Sequence, residues 1–555
     1  MLAEKSSGSP SSAGHSVEES THPDGSESLE RRSTFSSLSS HHGRATKEIQ
    51  GTVGTANLAK TKSRQSAQSQ PSYGGHDGYS VHDDHDQGTR EAENGSSGRT
   101  KEFEVKFDGP SDPMNPRSRK KAHKWGINLI LSCGSLCTTC TAAIYTQSYA
   151  QLERELGVSR IVATLGLSLY ILGLGIGPMF LSPLSEFYGR RPIYIGSFSF
   201  FLIWLIPCAV AQNIQTLLIG RFLAGVSGSA FLSVAGGTVG DLFERSELSL
   251  PMMVYTASPF VGPEVGPVIG GFINQYTYWR WTFYVLLIWA GIELILIIFF
   301  VPETYHPVVL KQKAKKLRKE TSNDSWYAPM EVMNKSVTKT VLWSCIRPFQ
   351  LLTLEPMCLF LCLISSVYLG ILYLFFGAFQ LIFGNNHGFT QSQIGMSFLG
   401  IFVGMITGVC CDPFWQKNYQ RLIRHNGGIS EPEFRLPPTI VGAIIVPFSL
   451  IGFAFTTYPS VHWIVPIIFS AFFGFGHVLT TYPLYAASAL AANSFSRSSF
   501  AAAFPLFGVQ MYGGLGYQWA SFLLAGLALI LMPFPYIFFK YGKRIRGTSR
   551  FAQAP

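Results

Sequence analysis

The sequence predicts an all-α membrane protein, twelve bilayer-spanning helices in two six-helix halves behind a disordered N-terminal tail. Three observations carry that reading. The chain of 555 residues is 47% hydrophobic but only 14% charged, and its mean hydropathy is positive. Apolar runs of about 20 residues, the length that crosses a bilayer, recur along it. They fall into two sets of six with a charged stretch between, the pattern of two related helical bundles.

The elements follow in order. Residues 1–115 are rich in Ser, Gly, His and Asp and hold no sustained apolar period, so a disordered tail is expected there. The tail has no early apolar run with a cleavage site, so no signal peptide is expected. After the basic cluster RSRKKAHK, the first half covers 116–302, with spans at 125–147, 161–181, 193–212, 214–238, 250–274 and 281–302. A central loop occupies 303–355. The second half covers 356–540, with spans at 357–379, 394–411, 438–457, 462–481, 486–512 and 516–539, and a short tail runs from 541 to 555.

Charge sets the orientation. Lys and Arg cluster before span 1, after span 2 (Arg190, Arg191), in the central loop (Lys311 to Lys319), between spans 8 and 9, and at the end (Lys540, Lys543, Arg544). The opposite loops, such as GNNHGFTQSQ and YGGLGYQW, carry almost no charge. The positive-inside rule then puts both termini and the central loop in the cytosol, with the plasma membrane as the expected location. The loop after span 4 (Asp241, Glu244, Arg245, Glu247) departs from the trend, but acidic residues count little in that rule. The net charge of +10 therefore reports membrane orientation, and no nucleic-acid partner is expected.

Cys133, Cys137 and Cys140 share a face of span 1, where small packing residues are the expected reading over a metal site. No external disulfide, metal or cofactor is predicted. No glycine-rich nucleotide loop or nucleophile motif appears, so the chain reads as a transporter and not an enzyme.

The segments that carry chemistry come next. Between spans 2 and 3 stands SPLSEFYGRRPIY (182–194). Gly189 suits the tight turn, Arg190 and Arg191 anchor it at the cytosolic face, and Glu186 can pair with them or with a neighbouring helix end. In span 5, GPEVGPVIGG (262–271) places Gly262, Gly266 and Gly270 one turn apart on a single face. That face lets another helix approach closely in lipid. Pro263, Pro267 and Gly271 share the run, and a membrane helix can re-satisfy the groups the prolines free.

Glu264 lies in the middle of the same run. A carboxylate at membrane depth is costly in its charged form, which is the property a proton carrier uses. Two readings stand: a proton-coupling group, or a glutamate hydrogen-bonded to a neighbouring helix or to Arg221 or facing a wet cavity. Arg221, inside span 4, must face the bundle interior and find a partner. His477 in span 10 is a second titratable candidate. Tyr145, Gln147, Tyr170, Tyr255, Tyr368, Tyr373 and Gln380 are candidates for lining a cavity with apolar walls and a few orienting groups.

In order and content these segments resemble the major facilitator superfamily, specifically the fungal twelve-span drug:proton antiporters. SPLSEFYGRRP resembles the loop signature G-x-L-a-D-r-x-G-r-r, with Ser182 for the first glycine and Glu186 for the aspartate. LIGRFLAGVSGS (218–229) resembles the fourth-span signature, whose arginine matches Arg221. GPEVGPVIGG resembles the antiporter signature of span 5. WRWTFY, VPETYHPVVL, RPFQLLTLEP and FPLFGVQMY resemble further stretches, so the likeness runs from about residue 120 to the C-terminus.

The resemblance implies a gate-latch role for the Glu186 loop, a link between Arg221 and proton coupling, and transport in the outward direction. It implies a small-molecule substrate and protons as partners, a lipid environment, and action as a monomer. Its departures are the stretch LFFGAFQ (374–380), where relatives carry an acidic residue and a proline and this chain has Gly377 and Gln380, and a shorter stretch between FGFGH and YAASALAAN. The expected function is proton-coupled efflux of small, largely apolar compounds (drugs, toxins or secondary metabolites) by alternating access. A polyamine or other uptake carrier on the same fold, and a membrane sensor signalling through the tail, are the alternatives.

Overall fold

The computed structural model describes residues 103–109, 111–244, 247–332, 336–481 and 487–547. The tail expected over 1–115 lies outside these residues as far as 102, and so does the junction at 482–486 between spans 10 and 11.

Among the described residues, twelve long helices follow one another. In the first half they are Lys121–Leu156, Arg160–Tyr188, Arg190–Ala209, Ile214–Leu242, Ser249–Tyr276 and Arg280–Phe300. In the second they are Pro356–Asn386, Gln391–His425, Pro437–Phe455, Ile464–Thr480, Ala487–Leu515 and Tyr517–Ile545. They are called spans 1 to 12. Nine of them, among the described residues, meet the length and apolarity needed to cross a membrane. The other three fall short for readable reasons. Span 10 has 17 residues. Spans 5 and 11 are 28 and 29 residues long, but Gly, Ala, Ser and Pro replace the larger aliphatics. Those two helices lie at the centre of the packing, where small residues permit close approach.

The halves repeat one another. Span 1 packs along span 5 and span 7 along span 11, while span 2 packs on span 4 and span 8 on span 10. Across the halves, span 2 meets span 11 and span 5 meets span 8. Corresponding positions therefore make corresponding contacts, as a pseudo-symmetric pair of bundles requires. Large aliphatic and aromatic side chains such as Phe299, Ile288 and Ile530 remain exposed, as lipid-facing surfaces do.

One stretch of the expected tail is held in place. Phe103 to Val105 pair with Tyr327 through Val105 N–H to Tyr327 O at 3.0 Å and Tyr327 N–H to Phe103 O at 3.1 Å. Val105 is buried with Ala314 and Ala328. Lys313 donates to Asp108 Oδ2 at 2.6 Å and Asp112 Oδ2 at 2.7 Å. This strap docks on the central-loop helix His306–Thr321. Its alternating charge and Gly/Pro content hid the few apolar contacts that hold it.

Candidate functional site

The loop between spans 2 and 3 is built on Gly189, whose φ of +98° only glycine adopts freely. The turn starts span 3 at Arg190, and the Glu303 carboxylate caps that helix. Arg190 N–H donates to Glu303 Oε1 at 2.9 Å and Arg191 N–H to Oε2 at 3.2 Å. The Arg190 side chain is buried. It donates to Ser185 Oγ at 2.6 Å, pairs with Asp241 at 3.4 Å and lies over the Tyr305 ring at 4.8 Å. Glu186 acts on Arg190 electrostatically, while Asp241, at the end of span 4, is its close ion partner. Arg191 reaches the Ile298 carbonyl at 2.9 Å.

The glycine face of span 5 lies against span 1. A Cβ on Gly266 would stand 2.7 Å from Ile144 N, and one on Gly270 2.7 Å from Ile144 O. Gly262 meets Thr139 and the backbone of Cys140. Gly271 turns instead to span 8, where a Cβ would be 2.8 Å from Gln391 O. Pro263 and Pro267 are buried in the same helix, and Gly395 of span 8 approaches the backbone of Pro267.

Arg221 is fully enclosed. It donates to the carbonyls of Thr141 at 2.8 Å, Ala142 at 3.3 Å and Gly166 at 3.3 Å. The rings of Tyr145 and Tyr170 flank its guanidinium, each 4.4 Å away. Tyr145 in turn donates to Ala163 O at 2.9 Å and Tyr170 to Thr138 O at 2.7 Å. Spans 1, 2 and 4 are thus joined by one cation, two aromatics and five backbone carbonyls. Tyr145 and Tyr255 are hydrogen-bonded within the first half: Tyr255 donates to Phe231 O at 2.9 Å.

Glu264 is fully enclosed, and neither carboxylate oxygen has a hydrogen-bond partner among the described residues. The expected bond from Arg221 to Glu264 is not formed, since the carbonyls of spans 1 and 2 take the guanidinium. Tyr373 of span 7 is an electrostatic neighbour of Glu264. Tyr368 is fully buried with its hydroxyl unpartnered.

Gln147 and Gln380 come together at one end of the bundle. They line a cleft of about 270 Å³ with Thr146, Arg160 and Gln391. There the two halves are hydrogen-bonded shut. Gln380 donates to Thr146 O at 3.0 Å, Arg160 donates to Gln380, Gln391 donates to Gln147 O, and Ser392 N–H donates to Gln275 Oε1 at 2.8 Å. This is the glutamine end; the end with Arg190, Lys313 and the strap is the basic end.

Sequence reasoning passed over Glu303, Asp241, Glu293 and Arg497. The last two carried a readable signal, a lone charge inside an apolar run. Glu303 and Asp241 did not, because only the folded chain brings them to Arg190.

A bundle of twelve helices in two repeated halves, with buried ionisable groups between them, defines a membrane transporter of the alternating-access type. Residues 131–504 match the family model described as Major Facilitator Superfamily, and the chain belongs to that family. It is 54% identical over 82% of its length to a protein of Aspergillus terreus named efflux pump atB, covering 90% of that protein. It is 41% identical over 80% of its length to a Saccharomyces cerevisiae protein named probable drug/proton antiporter YHK8, covering 88% of it. In fold it is similar to the human organic anion transporter MFSD10, with a TM-score of 0.53 at 16% identity, over 74% of this chain and 99% of that one.

Proposed function

We propose that this protein exports small, largely apolar organic compounds in exchange for protons, by alternating access of its two halves. It works as a monomer in the plasma membrane with the basic end, and both termini, in the cytosol. The observation that carries the reading is Glu264: a fully enclosed carboxylate with no hydrogen-bond partner among the described residues, on the helix that meets both span 1 and span 8. A structural glutamate would be hydrogen-bonded. One that must bind and release a proton gains from having no fixed partner. Two relatives with more than 40% identity carry efflux or drug/proton antiport in their names, which supports the direction.

Antiport requires one group that takes proton or cargo but not both, and Glu264 fills that role. One elementary charge moved down the membrane potential carries about 2.3 kcal/mol per 100 mV, enough for a useful gradient. Arg221 serves as a clamp holding spans 1, 2 and 4 in register, and the Gly189–Arg190 loop as the latch of the basic end. With the glutamine end outward, the state described is closed to the outside.

The test is transport by the purified protein in liposomes with an imposed proton gradient. The expected result is cargo movement toward the acidic side, lost in Glu264→Gln while gradient-free exchange persists. Cargo accumulating on the side opposite the protons' source, or full gradient-driven transport by Glu264→Gln, would sink the proposal.

A further inference from the structure

Buried polar side chains ordinarily find partners, yet several where the halves meet do not. Glu264 is one. One turn earlier on the same face of span 5 stands Phe260, and its ring is covered from the second half. The Arg497 guanidinium of span 11 lies 5.3 Å from the ring centroid. His477 of span 10 meets the ring edge-on at 5.8 Å. His477 is fully enclosed, and among the described residues neither its ring nitrogens nor the buried Arg497 Nε has a hydrogen-bond partner. Asn493, one turn before Arg497, has an unpartnered Oδ1. Tyr373 is the shared neighbour, within electrostatic reach of both Glu264 and Arg497.

A buried guanidinium is costly unless something accepts its hydrogen bonds. Arg221 shows how the chain pairs such a group when its role is packing: three carbonyls and two rings. Arg497, half-buried in span 11, has a ring on one face and a buried Nε with no partner among the described residues. The other titratable groups around this cluster are His477 and Tyr373 from the second half, with the Cys362 thiol near Arg497. None of these is a carboxylate able to neutralise Arg497.

We propose that Glu264 and Arg497 are the two poles of the cargo site. The cargo they select is an aromatic compound carrying a hydrogen-bond donor at one end and an acceptor at the other. The donor O–H or N–H goes to the Glu264 carboxylate, the carbonyl, carboxylate or phenolate acceptor goes to Arg497, and the ring lies against Phe260 and Tyr373. This rests on the efflux reading above and adds the class of cargo. A donor binds ionised Glu264 more strongly than the protonated acid, so cargo and proton compete at one group. A fixed guanidinium at the second pole disfavours cationic cargo.

The test uses the full chain in liposomes under a proton gradient with three fluorescent probes: 6-hydroxy-2-naphthoate (donor and acceptor), 2-naphthoate (acceptor only) and the cation rhodamine 6G. The wild type is expected to move 6-hydroxy-2-naphthoate fastest. Arg497→Gln should slow both naphthoates about tenfold or more, the worth of a charge-assisted bond, and raise the ratio of rhodamine 6G flux to naphthoate flux. Arg497→Lys should restore part of the naphthoate flux. Glu264→Gln should reduce the advantage of the hydroxylated probe in equilibrium binding read by fluorescence quenching, since a neutral amide accepts more weakly than a carboxylate. Melting in detergent, followed by tryptophan fluorescence, reports whether each variant folds. Equal slowing of all three probes by a folded Arg497→Gln, or a wild-type preference for rhodamine 6G, overturns the two-pole site while leaving efflux standing. Failure to move any probe against a gradient overturns both.

Discussion

The Glu303 carboxylate closes on the first turn of span 3, taking the backbone N–H of Arg190 at 2.9 Å and of Arg191 at 3.2 Å. The same Oε1 also accepts from Thr304 and Tyr305 N–H at 3.0 and 2.9 Å. Four amides, two of them at a helix N-terminus where negative charge is favoured, converge on one side chain. The segment after span 6 is thereby tied to the loop after span 2. Glu303→Ala should cost about 1–2 kcal/mol, the range of a lost helix cap, seen as a lower melting midpoint in detergent. Gly189→Ala should cost more, because it combines a positive φ with a Cβ 2.7 Å from Glu303 Cδ. An unchanged midpoint in both variants would show that the cap does not hold the loop.

The strap gives a pH dependence with a defined sign. Burial, reinforced by the positive charges of Arg117 and Arg190, lowers the pKa of His306 from 6.5 to about 4, despite its contact with the Asp241 carbonyl. The folded ring therefore resists a proton that the unfolded ring accepts. Its contribution to docking is whole above pH 6.5 and is lost as the pH falls from 6.5 to 4. For Asp112 burial opposes ionisation, but Lys313 and the amides of Asp108 and Met114 outweigh it and hold the carboxyl at about 2, against an ordinary 3.8. That contribution is whole above pH 3.8 and lost as the pH falls toward 2. Protease cleavage within 103–115 should thus rise in two steps on acidification. His306→Asn should remove the upper step, and Lys313→Ala should speed cleavage at neutral pH. A single step unaffected by His306→Asn would exclude this account.

Much of this architecture was legible in the sequence because lipid imposes a simple rule: about 20 apolar residues per crossing. Gly262, Gly266 and Gly270 also announced their shared face, and the structure puts that face on span 1. What stayed hidden depends on partners distant in sequence. Arg190 sits beside Glu186 in the chain, yet its close ion partner is Asp241, some fifty residues on. Tyr145 and Tyr255 had the composition of cavity walls, but composition does not tell a tyrosine that faces cargo from one that donates to a neighbouring helix. Gln147 and Gln380, from opposite halves, were readable as candidates singly and not as the two sides of one closed end.

That closed end offers a direct test of the rocking motion. Arg160 and Gln380 join the halves beside the cleft, and Gln380 also holds Thr146 O. Removing two bonds of about 0.5–1.5 kcal/mol each shifts a two-state balance by about 1–3 kcal/mol, roughly tenfold or more in population. Arg160→Ala combined with Gln380→Ala should therefore favour the state open at the glutamine end. The Gln147 side chain has no hydrogen-bond partner of its own, so Gln147→Cys is a tolerable reporter. Its labelling by an impermeant maleimide should quicken severalfold in the double variant. A rate equal to that of the intact gate would mean that these bonds do not set the closed state.

The contact between spans 1 and 5 predicts a sharp contrast among glycines. Gly266 and Gly270 face backbone atoms of Ile144, where a Cβ would come within 2.7 Å. Backbone cannot rotate away as a side chain can, so the two helices must separate to admit a methyl group. Gly126 of span 1 and Gly291 of span 6 meet nothing within 4 Å. Gly266→Val should cost about 1–3 kcal/mol in overpacking and abolish most transport, because it also displaces Glu264 on the same helix. Gly126→Ala and Gly291→Ala should melt and transport as the wild type does. Because all of these substitutions remove a glycine from a helix, backbone propensity predicts a small gain for each of them, whereas close packing predicts loss at Gly266 and Gly270 alone. Melting midpoints and gradient-driven flux measured across the set decide between the two, and a stable, active Gly266→Val would rule out the close approach of spans 1 and 5.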